Sequence, residues 1–385
     1  MRVCHVSPHL PPDQAANALL PAELGDWTRA AGGEVTFVTH EAAQGGQSPG
    51  QLPGPVHRVP RRRRGSGPRR WLRLDALDVA RQVARALDAA AGDADVVHLH
   101  SNGLIVEAAA AWARRRGRPH LLTLYGTEIW HYRRRWPVDP FTRAYRRAGA
   151  VTFYSRGLLD AARRAGLDRS GLRVVYPAVR GVFAARDEAG RALLRQSLGI
   201  VETRLLLNVK RLHELAGQEF LIHAFAQVAS RDEDVRLAIC GTGPLRAPLE
   251  AQARRLGVDR KVTFTGLIAN DRVAAYAAAA DAFVLPSLLE ALPTVAVEAL
   301  ASGTPVISAD HPGGLELHEL FGDDVQVVPR RDGHALAQAI ESRLAHPRRV
   351  HPRTFDIIRE RFSPEAVHGA YREVYAQLAP GRSRG

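Results

Sequence analysis

The feature that most constrains this chain is the alternation of short apolar runs with longer, alanine-rich amphipathic stretches along almost its whole length. Short runs of Val, Leu and Phe are typical of buried strands, and apolar residues spaced three and four apart are typical of helices. Parallel strands joined by crossover helices produce this order, so the sequence predicts an α/β fold built on doubly wound, Rossmann-like parallel sheets.

The predicted elements form two groups, and therefore two sheets. In the first group, strands are predicted near residues 2–7, 34–39, 96–100, 120–124, 150–154 and 173–175, and helices near 18–31, 72–91, 104–116 and 157–165. In the second group, strands are predicted near residues 205–209, 236–240, 262–265, 282–285, 304–308 and 324–328, and helices near 218–230, 245–256, 271–278, 294–301 and 333–345. The pattern weakens between the groups, over a stretch that is long for a connection inside one domain. We therefore predict an N-terminal domain over 1–180, a hinge over 181–200, a C-terminal domain over 201–362 and a last helix within 363–385.

Membrane spans, disulfides and metal clusters are not expected. No stretch approaches the roughly 18 uncharged apolar residues that a membrane span needs, and the N-terminus lacks the apolar segment of a signal peptide. The two cysteines, Cys4 and Cys240, each lie in a predicted strand, where small buried hydrophobes are the usual interpretation. The sequence predicts a cytoplasmic protein without a metal site.

The net charge of +13 lies in the first half, because residues 1–180 hold 28 basic and 15 acidic residues while the rest of the chain holds 25 of each. Arginines concentrate at positions 61–64, 69, 70, 73, 114–116 and 133–135. Such runs are often only solvated surface. The alternative is a peripheral docking surface for anionic phospholipid or an acidic substrate, with Trp71, Trp130 and Trp136 as interfacial anchors. No nucleic-acid motif accompanies the arginines, so nucleic-acid binding is a remote alternative.

Two carboxylates flank a predicted helix start in the second half. Glu290 lies in the loop after a strand, Pro293 suits the first helical position, and Glu298 lies about one turn into the helix. The free amides of Thr294 and Val295 can bind phosphate oxygens, while carboxylates accept hydrogen bonds from sugar hydroxyls. This combination suits a sugar nucleotide, although on spacing alone two ordinary surface glutamates fit equally well.

The segment from Glu290 to Glu298, with the residues that follow it (ALASGTPVI) and the later glycine pair, resembles the E-x(7)-E signature of the retaining glycosyltransferase family four. Residues 208–217 (NVKRLHELAG), 240–245 (CGTGPL) and 262–267 (VTFTGL) resemble further motifs of this family, in the same order. The resemblance covers nearly all of residues 204–345. It implies the GT-B fold, in which two Rossmann-like domains face a central cleft and a last helix crosses back to the N-terminal domain.

The resemblance also implies an activity, which is metal-independent retaining transfer of a hexosyl group from a nucleotide sugar, most often UDP-linked, to a hydroxyl acceptor. Glu290 would contact the donor sugar, Glu298 the ribose, and Arg211 the diphosphate. The remaining implied donor contacts are Thr294, Val295, Gly241, Gly243 and Leu267.

Ala216 and Tyr125 depart from the family pattern. Ala216 stands where the family usually has a lysine, and Lys210 is the candidate to supply the missing charge, although strand alternation would turn it away from Arg211. Tyr125 stands where the family often has a histidine beside the donor sugar. A phenol is a poor base at neutral pH, which favours front-side attack with a donor phosphate oxygen taking the acceptor proton.

Candidate acceptor contacts lie in the N-terminal half, at Glu128, His100, His9 and Asn17, and Asn17 is also a candidate cap for the helix that follows. A competing hypothesis is a sugar-nucleotide epimerase or hydrolase of similar fold. Such an enzyme would form product without an acceptor.

Overall fold

The computed structural model describes residues 1–11, 16–41, 52–61, 74–134 and 139–380. The chain divides into two compact units, the first of residues 1–176 with 367–380 and the second of residues 177–366. Among the described residues, no helix is both long and apolar enough to cross a membrane.

The first unit contains a parallel sheet, which has seven strands within the described residues, in the order β3-β2-β1-β4-β5-β6-β7. The strands are Arg2–Val6 (β1), Glu34–His40 (β2), Val56–Val59 (β3), Val96–His100 (β4), His120–Leu124 (β5), Ala150–Phe153 (β6) and Leu172–Val174 (β7). The helices are Ala16–Ala30 (α1), Leu74–Ala90 (α2), Leu104–Arg115 (α3), Thr127–Trp130 (α4), Pro140–Arg147 (α5) and Arg156–Arg164 (α6).

The second unit contains another parallel sheet, which has six strands within the described part of the chain, in the order β10-β9-β8-β11-β12-β13. The strands are Arg204–Val209 (β8), Val235–Cys240 (β9), Val262–Gly266 (β10), Ala282–Leu285 (β11), Val306–Ala309 (β12) and Val325–Val328 (β13). The helices are Glu188–Leu198 (α7), Gln218–Ala229 (α8), Arg246–Arg255 (α9), Asn270–Ala279 (α10), Thr294–Ala301 (α11), Pro312–Phe321 (α12), Gly333–Ala345 (α13) and Pro352–Arg361 (α14).

Each sheet is doubly wound, which confirms the predicted fold class. Chain order reverses direction between β1 and β4 in the first sheet and between β8 and β11 in the second. The central strands are apolar on both faces, as Leu205, Leu206 and Leu207 of β8 show, because helices cover both faces of the sheet. In sheets of this type, ligands bind beyond the carboxyl ends of the strands at the point of reversal.

The segment predicted as a hinge folds as helix α7 within the second unit. The guanidinium groups of Arg191 and Arg195 lie 2.9 and 2.7 Å from the two carboxylate oxygens of Asp281, next to β11. These ion pairs hold the helix against the unit's own sheet, so the segment is part of that unit rather than a linker.

The last helix, Pro364–Leu378 (α15), packs on the first sheet through buried tyrosines. The hydroxyl of Tyr375 lies 2.7 Å from Nδ1 of His98, and the hydroxyl of Tyr371 lies 3.5 Å from that of Thr123. Both tyrosine side chains are almost fully buried, so the C-terminal residues complete the core of the N-terminal unit.

Candidate active site

Two predicted site residues meet where the second sheet reverses its strand order. Lys210 directly follows β8, and Glu290 lies in the loop after the adjacent strand, β11. The ammonium group of Lys210 forms an ion pair with Oε1 of Glu290, and the two side chains are only 21% and 15% exposed. A charged pair therefore stands at the place where this class of sheet binds ligands.

Strand alternation does not set the direction of the Lys210 side chain, because β8 ends at Val209 and both Lys210 and Arg211 lie beyond it. Lys210 turns to Glu290, whereas Arg211 is exposed. The backbone of Arg211 is held by Gln218, whose side-chain amide donates to the Arg211 carbonyl at 3.3 Å. Both cations are thus carried by one short loop on the carboxyl edge of the sheet.

Gly241 and Gly243, predicted as donor contacts, shape this loop. Gly241 has a φ of +145°, and a Cβ there would collide with the carbonyl oxygen of Lys210. A Cβ on Gly243 would collide with the carbonyl oxygen of Leu212 in the same way. Because glycine lets the two loops touch, the amide of Lys210 can donate to the Cys240 carbonyl at 3.0 Å.

The loop that carries Glu290 is tied on two sides. Its Leu288 amide donates to the Leu215 carbonyl at 2.8 Å, and the Glu290 carbonyl accepts from the amide of Gly313 at 3.1 Å. Gly217, with a φ of +67°, permits this packing, since a Cβ there would collide with the Pro286 carbonyl. The segments that hold Arg211 and Glu290 are therefore one packed structure.

Helix α11 presents the remaining predicted donor residues on one face. Thr294, Val295 and Glu298 are half-buried, while the residues of the opposite face are buried. The N-cap residue, Pro293, makes no side-chain capping hydrogen bond. Leu267, the other predicted contact, directly follows β10 and is 71% exposed.

Sequence reasoning did not identify two residues that surround the ion pair. His311 follows β12, is buried, and accepts a hydrogen bond from the Gly314 amide at 2.9 Å. Burial lowers the pKa of His311 to about 4, with Glu290 opposing this shift and Lys210 adding to it, so the imidazole is neutral. Arg330, which follows β13, donates to the Leu288 carbonyl at 3.2 Å. Both His311 and Arg330 lie just after the end of a strand, and this position could have identified them as candidate site residues.

In the first unit, a chain of hydrogen bonds runs inward from Tyr125. Its hydroxyl lies 2.7 Å from Nδ1 of His100, and Nε2 of His100 lies 3.0 Å from Nδ1 of His5. Burial lowers the pKa of His100 well below its usual value and lowers that of His5 to about 3, so both rings are neutral. Burial also raises the pKa of Tyr125 well above its usual value, which excludes the phenol as a base at neutral pH.

His5, His98 and His100 place one nitrogen each within 4.8 Å of one another, a spacing that could hold a metal ion. Both ring nitrogens of His98 are engaged, however, by the hydroxyls of Tyr375 and Thr123, each at 2.7 Å. A metal ion would have to break those bonds. The arrangement therefore fits a hydrogen-bonded core cluster.

Glu128, predicted as an acceptor contact, is buried, and its carboxylate is hydrogen-bonded to neighbouring residues of the protein. One carboxylate oxygen accepts from the Ser101 hydroxyl at 2.5 Å, and the other accepts from the amides of Tyr125 and Gly126 at 3.2 and 2.8 Å. These bonds fix the loop that presents Tyr125.

The other predicted acceptor contacts are less defined. His9 is half-buried beyond the end of β1. Helix α1 begins at Ala16, so the prediction that Asn17 caps it is wrong, and the Asn17 side chain lies outside the described residues. Arg61, Arg114–Arg116, Arg133 and Arg134 are exposed. The predicted basic cluster also includes Arg62–Arg64, Arg69, Arg70, Arg73 and Arg135, and the predicted anchors include Trp71 and Trp136, all of which lie outside the described residues.

Solved structures with the same fold establish the structural class. Sucrose-phosphate synthase from Thermosynechococcus elongatus has a TM-score of 0.74 at 22% sequence identity, with 98% of each chain covered. HepE of Anabaena, solved in complex with UDP and glucose, has a TM-score of 0.73 at 19% identity, with 98% of this chain and 100% of that one covered. The predicted GT-B fold is confirmed.

Sequence comparisons find glycosyltransferase domains in both halves of the chain. Residues 191–360 match the family Glycosyl transferases group 1, and residues 21–178 match the Glycosyl transferase 4-like domain. Each half of the chain therefore matches a glycosyltransferase family model, and the second half matches that of the group 1 glycosyl transferases. A curated relative, the GDP-mannose-dependent alpha-(1-6)-phosphatidylinositol monomannoside mannosyltransferase of Mycolicibacterium smegmatis, is 33% identical over 251 residues. That match spans 62% of this chain and 64% of the relative, which is less than two thirds of its length.

Proposed function

We propose that the protein is a retaining glycosyltransferase that moves a hexosyl group from a nucleotide sugar to a hydroxyl of an acceptor. The observation that carries this proposal is the ion pair between Lys210 and Glu290 at the reversal point of the second sheet. A carboxylate beside a cation at that edge suits a sugar linked to a diphosphate, because the carboxylate accepts hydrogen bonds from sugar hydroxyls and the cation attracts phosphate oxygens.

Different residues of the second unit bind the sugar, the diphosphate, the ribose and the base of the donor. Glu290 binds the sugar hydroxyls, and Arg211 binds the diphosphate and stabilises the charge that develops on it as the glycosidic bond breaks. The amides of Thr294 and Val295, at the start of α11, face the same phosphates. Glu298, one turn further along that half-buried face, binds the ribose hydroxyls, and Leu267 lies beside the base.

The properties of Tyr125 in the first unit favour a mechanism in which the donor phosphate, and not a side chain, takes up the proton of the acceptor hydroxyl. Tyr125 occupies the position of the family's histidine, and burial makes its hydroxyl a much weaker acid than usual. A phenol of this kind donates a hydrogen bond but does not take up the acceptor proton. A phosphate oxygen of the leaving diphosphate takes that proton in a front-side mechanism without a metal ion, and the first unit binds the acceptor.

UDP-linked sugars are the first donors to test. HepE has been solved with UDP and glucose, which supports a uridine nucleotide, whereas the mycobacterial relative is named for GDP-mannose. Peripheral docking on an anionic membrane is a further proposal and rests on the exposed arginines of the first unit.

The test is turnover of nucleotide sugars by a Glu290→Ala variant, compared with Glu341→Ala as a control. Glu341 also forms an ion pair, with Arg231, but the partner is exposed and the pair joins helix α13 to the end of α8. We expect Glu290→Ala to abolish transfer and Glu341→Ala to leave it intact, with both proteins folded. Near-normal turnover in Glu290→Ala would overturn the proposal.

A further inference from the structure

The second cation of the proposed donor site lies outside the position that the family resemblance implies. Ala216, where the family resemblance implies a lysine, is fully buried and brings no charge. We propose that Lys210 binds the distal phosphate of the donor, sharing its ammonium group between that phosphate and the carboxylate of Glu290. This inference rests on the proposed function and adds to it a specific diphosphate-binding residue.

The backbone of Lys210 is fixed, which makes the residue suitable for such a role. Its amide donates to the carbonyl of Cys240 at 3.0 Å, and its own carbonyl lies against Gly241, which has no room for a Cβ. The side chain extends from this backbone to the carboxylate of Glu290. The backbone that carries the ammonium group is therefore held in place at the end of β8.

The side chain is held close to where the sugar and the phosphate must meet. Its partner, Glu290, is the residue assigned to the sugar, and the distal phosphate is covalently bonded to that sugar. An ammonium group presents three donors, so it can contact a carboxylate oxygen and a phosphate oxygen together. Both side chains are mostly buried, so water screens these contacts less than it would on the surface.

The charges around the ion pair between Lys210 and Glu290 are compatible with binding of an anion. Lys210 and Glu290 neutralise each other, and Arg330 pairs with Asp310 at 2.8 Å. His311 is neutral, and Arg211 contributes an exposed positive charge beside Lys210. A bound diphosphate would add negative charge beside this ion pair. Lys210 already contacts Glu290, so its ammonium group is the cation that the carboxylate and the phosphate would share.

An alternative is that Lys210 only neutralises Glu290 and never touches the phosphate. A double-mutant cycle separates the two roles. If the lysine only neutralises the carboxylate, Lys210→Met weakens ligand binding because it exposes the ligand to an uncompensated negative charge, and adding Glu290→Gln restores the affinity. If the lysine binds phosphate, the double variant remains weak.

The experiment is calorimetric titration of the full chain with UDP, GDP and ADP, followed by the corresponding monophosphate as a probe without the distal phosphate. For the diphosphate that binds the wild-type protein, we expect Lys210→Met to weaken binding about 10- to 100-fold, as for loss of a charged hydrogen bond. Binding of the monophosphate should hardly change. Lys210→Arg should keep most of the diphosphate affinity, and Lys261→Met, which alters the chain's other lysine, should keep all of it.

Two results would overturn the inference while leaving the proposed function intact, namely wild-type diphosphate affinity in Lys210→Met, or full restoration in the double variant. Failure of the wild-type protein to bind any nucleoside diphosphate would instead remove the proposed function, and the inference with it. A melting curve for each variant separates loss of binding from loss of folding.

Discussion

The hydroxyl of Tyr125 lies 2.7 Å from Nδ1 of His100, and the His100 ring is fully buried behind it. Tyr125→Phe removes this bond and leaves a buried ring nitrogen without its partner. We expect a loss of about 1–3 kcal/mol in the free energy of unfolding. We also expect lower turnover with unchanged affinity for nucleoside diphosphate, whose proposed site lies in the second unit.

Tyr145→Phe is the matched control, because the Tyr145 hydroxyl is buried and has no hydrogen-bond partner among the described residues. Its removal should leave stability unchanged or slightly improved. Urea unfolding of the two variants measures the difference. Equal stability losses would show that the bond between Tyr125 and His100 contributes nothing.

The buried imidazoles predict that acid destabilises the protein. The pKa of His5 falls from its usual 6.5 to about 3 because the ring is buried, so below pH 6.5 the unfolded chain binds a proton that the folded chain does not. Stability is therefore lost as the pH falls from 6.5 towards 3, by about 2 kcal/mol at about pH 5 from this residue.

Urea unfolding at about pH 7.5 and about pH 5 checks this value. His5→Gln should reduce the difference between the two pH values, whereas His334→Gln, on the exposed side of α13, should leave it unchanged. An identical pH dependence in His5→Gln and the wild-type protein would contradict the assignment.

Gly241 and Gly257 both have positive φ in the second unit, but only Gly241 touches another loop. Gly257→Ala should cost about 1 kcal/mol, from backbone conformation alone. Gly241→Ala should cost clearly more and abolish nucleoside diphosphate binding, because the new methyl group displaces the Lys210 carbonyl. Thermal melts and titration compare the two variants, and equal effects would show that the loop contact is unimportant.

Membrane docking predicts selective binding to anionic lipid. Arg114, Arg115 and Arg116 are exposed at the end of α3, and replacing all three with glutamine should reduce recovery with anionic vesicles in a flotation assay. Recovery that is equal with anionic and neutral vesicles would end this hypothesis.

Strands were predicted well where both of their faces are buried. The bounds of β4, β5 and β11 are as predicted, since runs of Val, Leu and Phe leave little ambiguity. The strand Val56–Val59 was missed because it lies at the sheet edge, is partly exposed and contains His57 and Arg58. An edge strand needs no continuous apolar run, so its pattern is weak.

Three of the missed helices, Pro140–Arg147, Pro312–Phe321 and Pro352–Arg361, begin with a proline. Proline suits the first helical position, yet in a sequence it also indicates a break. Helix Glu188–Leu198 was missed for another reason. Its one buried residue is Arg191, so it has no apolar stripe to detect.

The candidate site was predicted in part. The motif residues Glu290 and Lys210 could be named, but their pairing depends on β8 and β11 being neighbours in the sheet, which chain order does not give. The structural role of Glu128 likewise depends on its bond to Ser101 across two loops. Contacts between residues that are distant in the sequence could not be predicted from the sequence.

Calorimetric titration of wild-type protein and Glu290→Gln, with a nucleotide sugar and with its matching nucleoside diphosphate, tests the proposed donor site most directly. A donor site at Glu290 predicts that the wild-type protein binds both, and that Glu290→Gln weakens binding of the nucleotide sugar about tenfold, as for one lost charged hydrogen bond, without weakening that of the diphosphate. Absence of nucleotide-sugar binding by the wild-type protein, or unchanged affinity in Glu290→Gln, would contradict it.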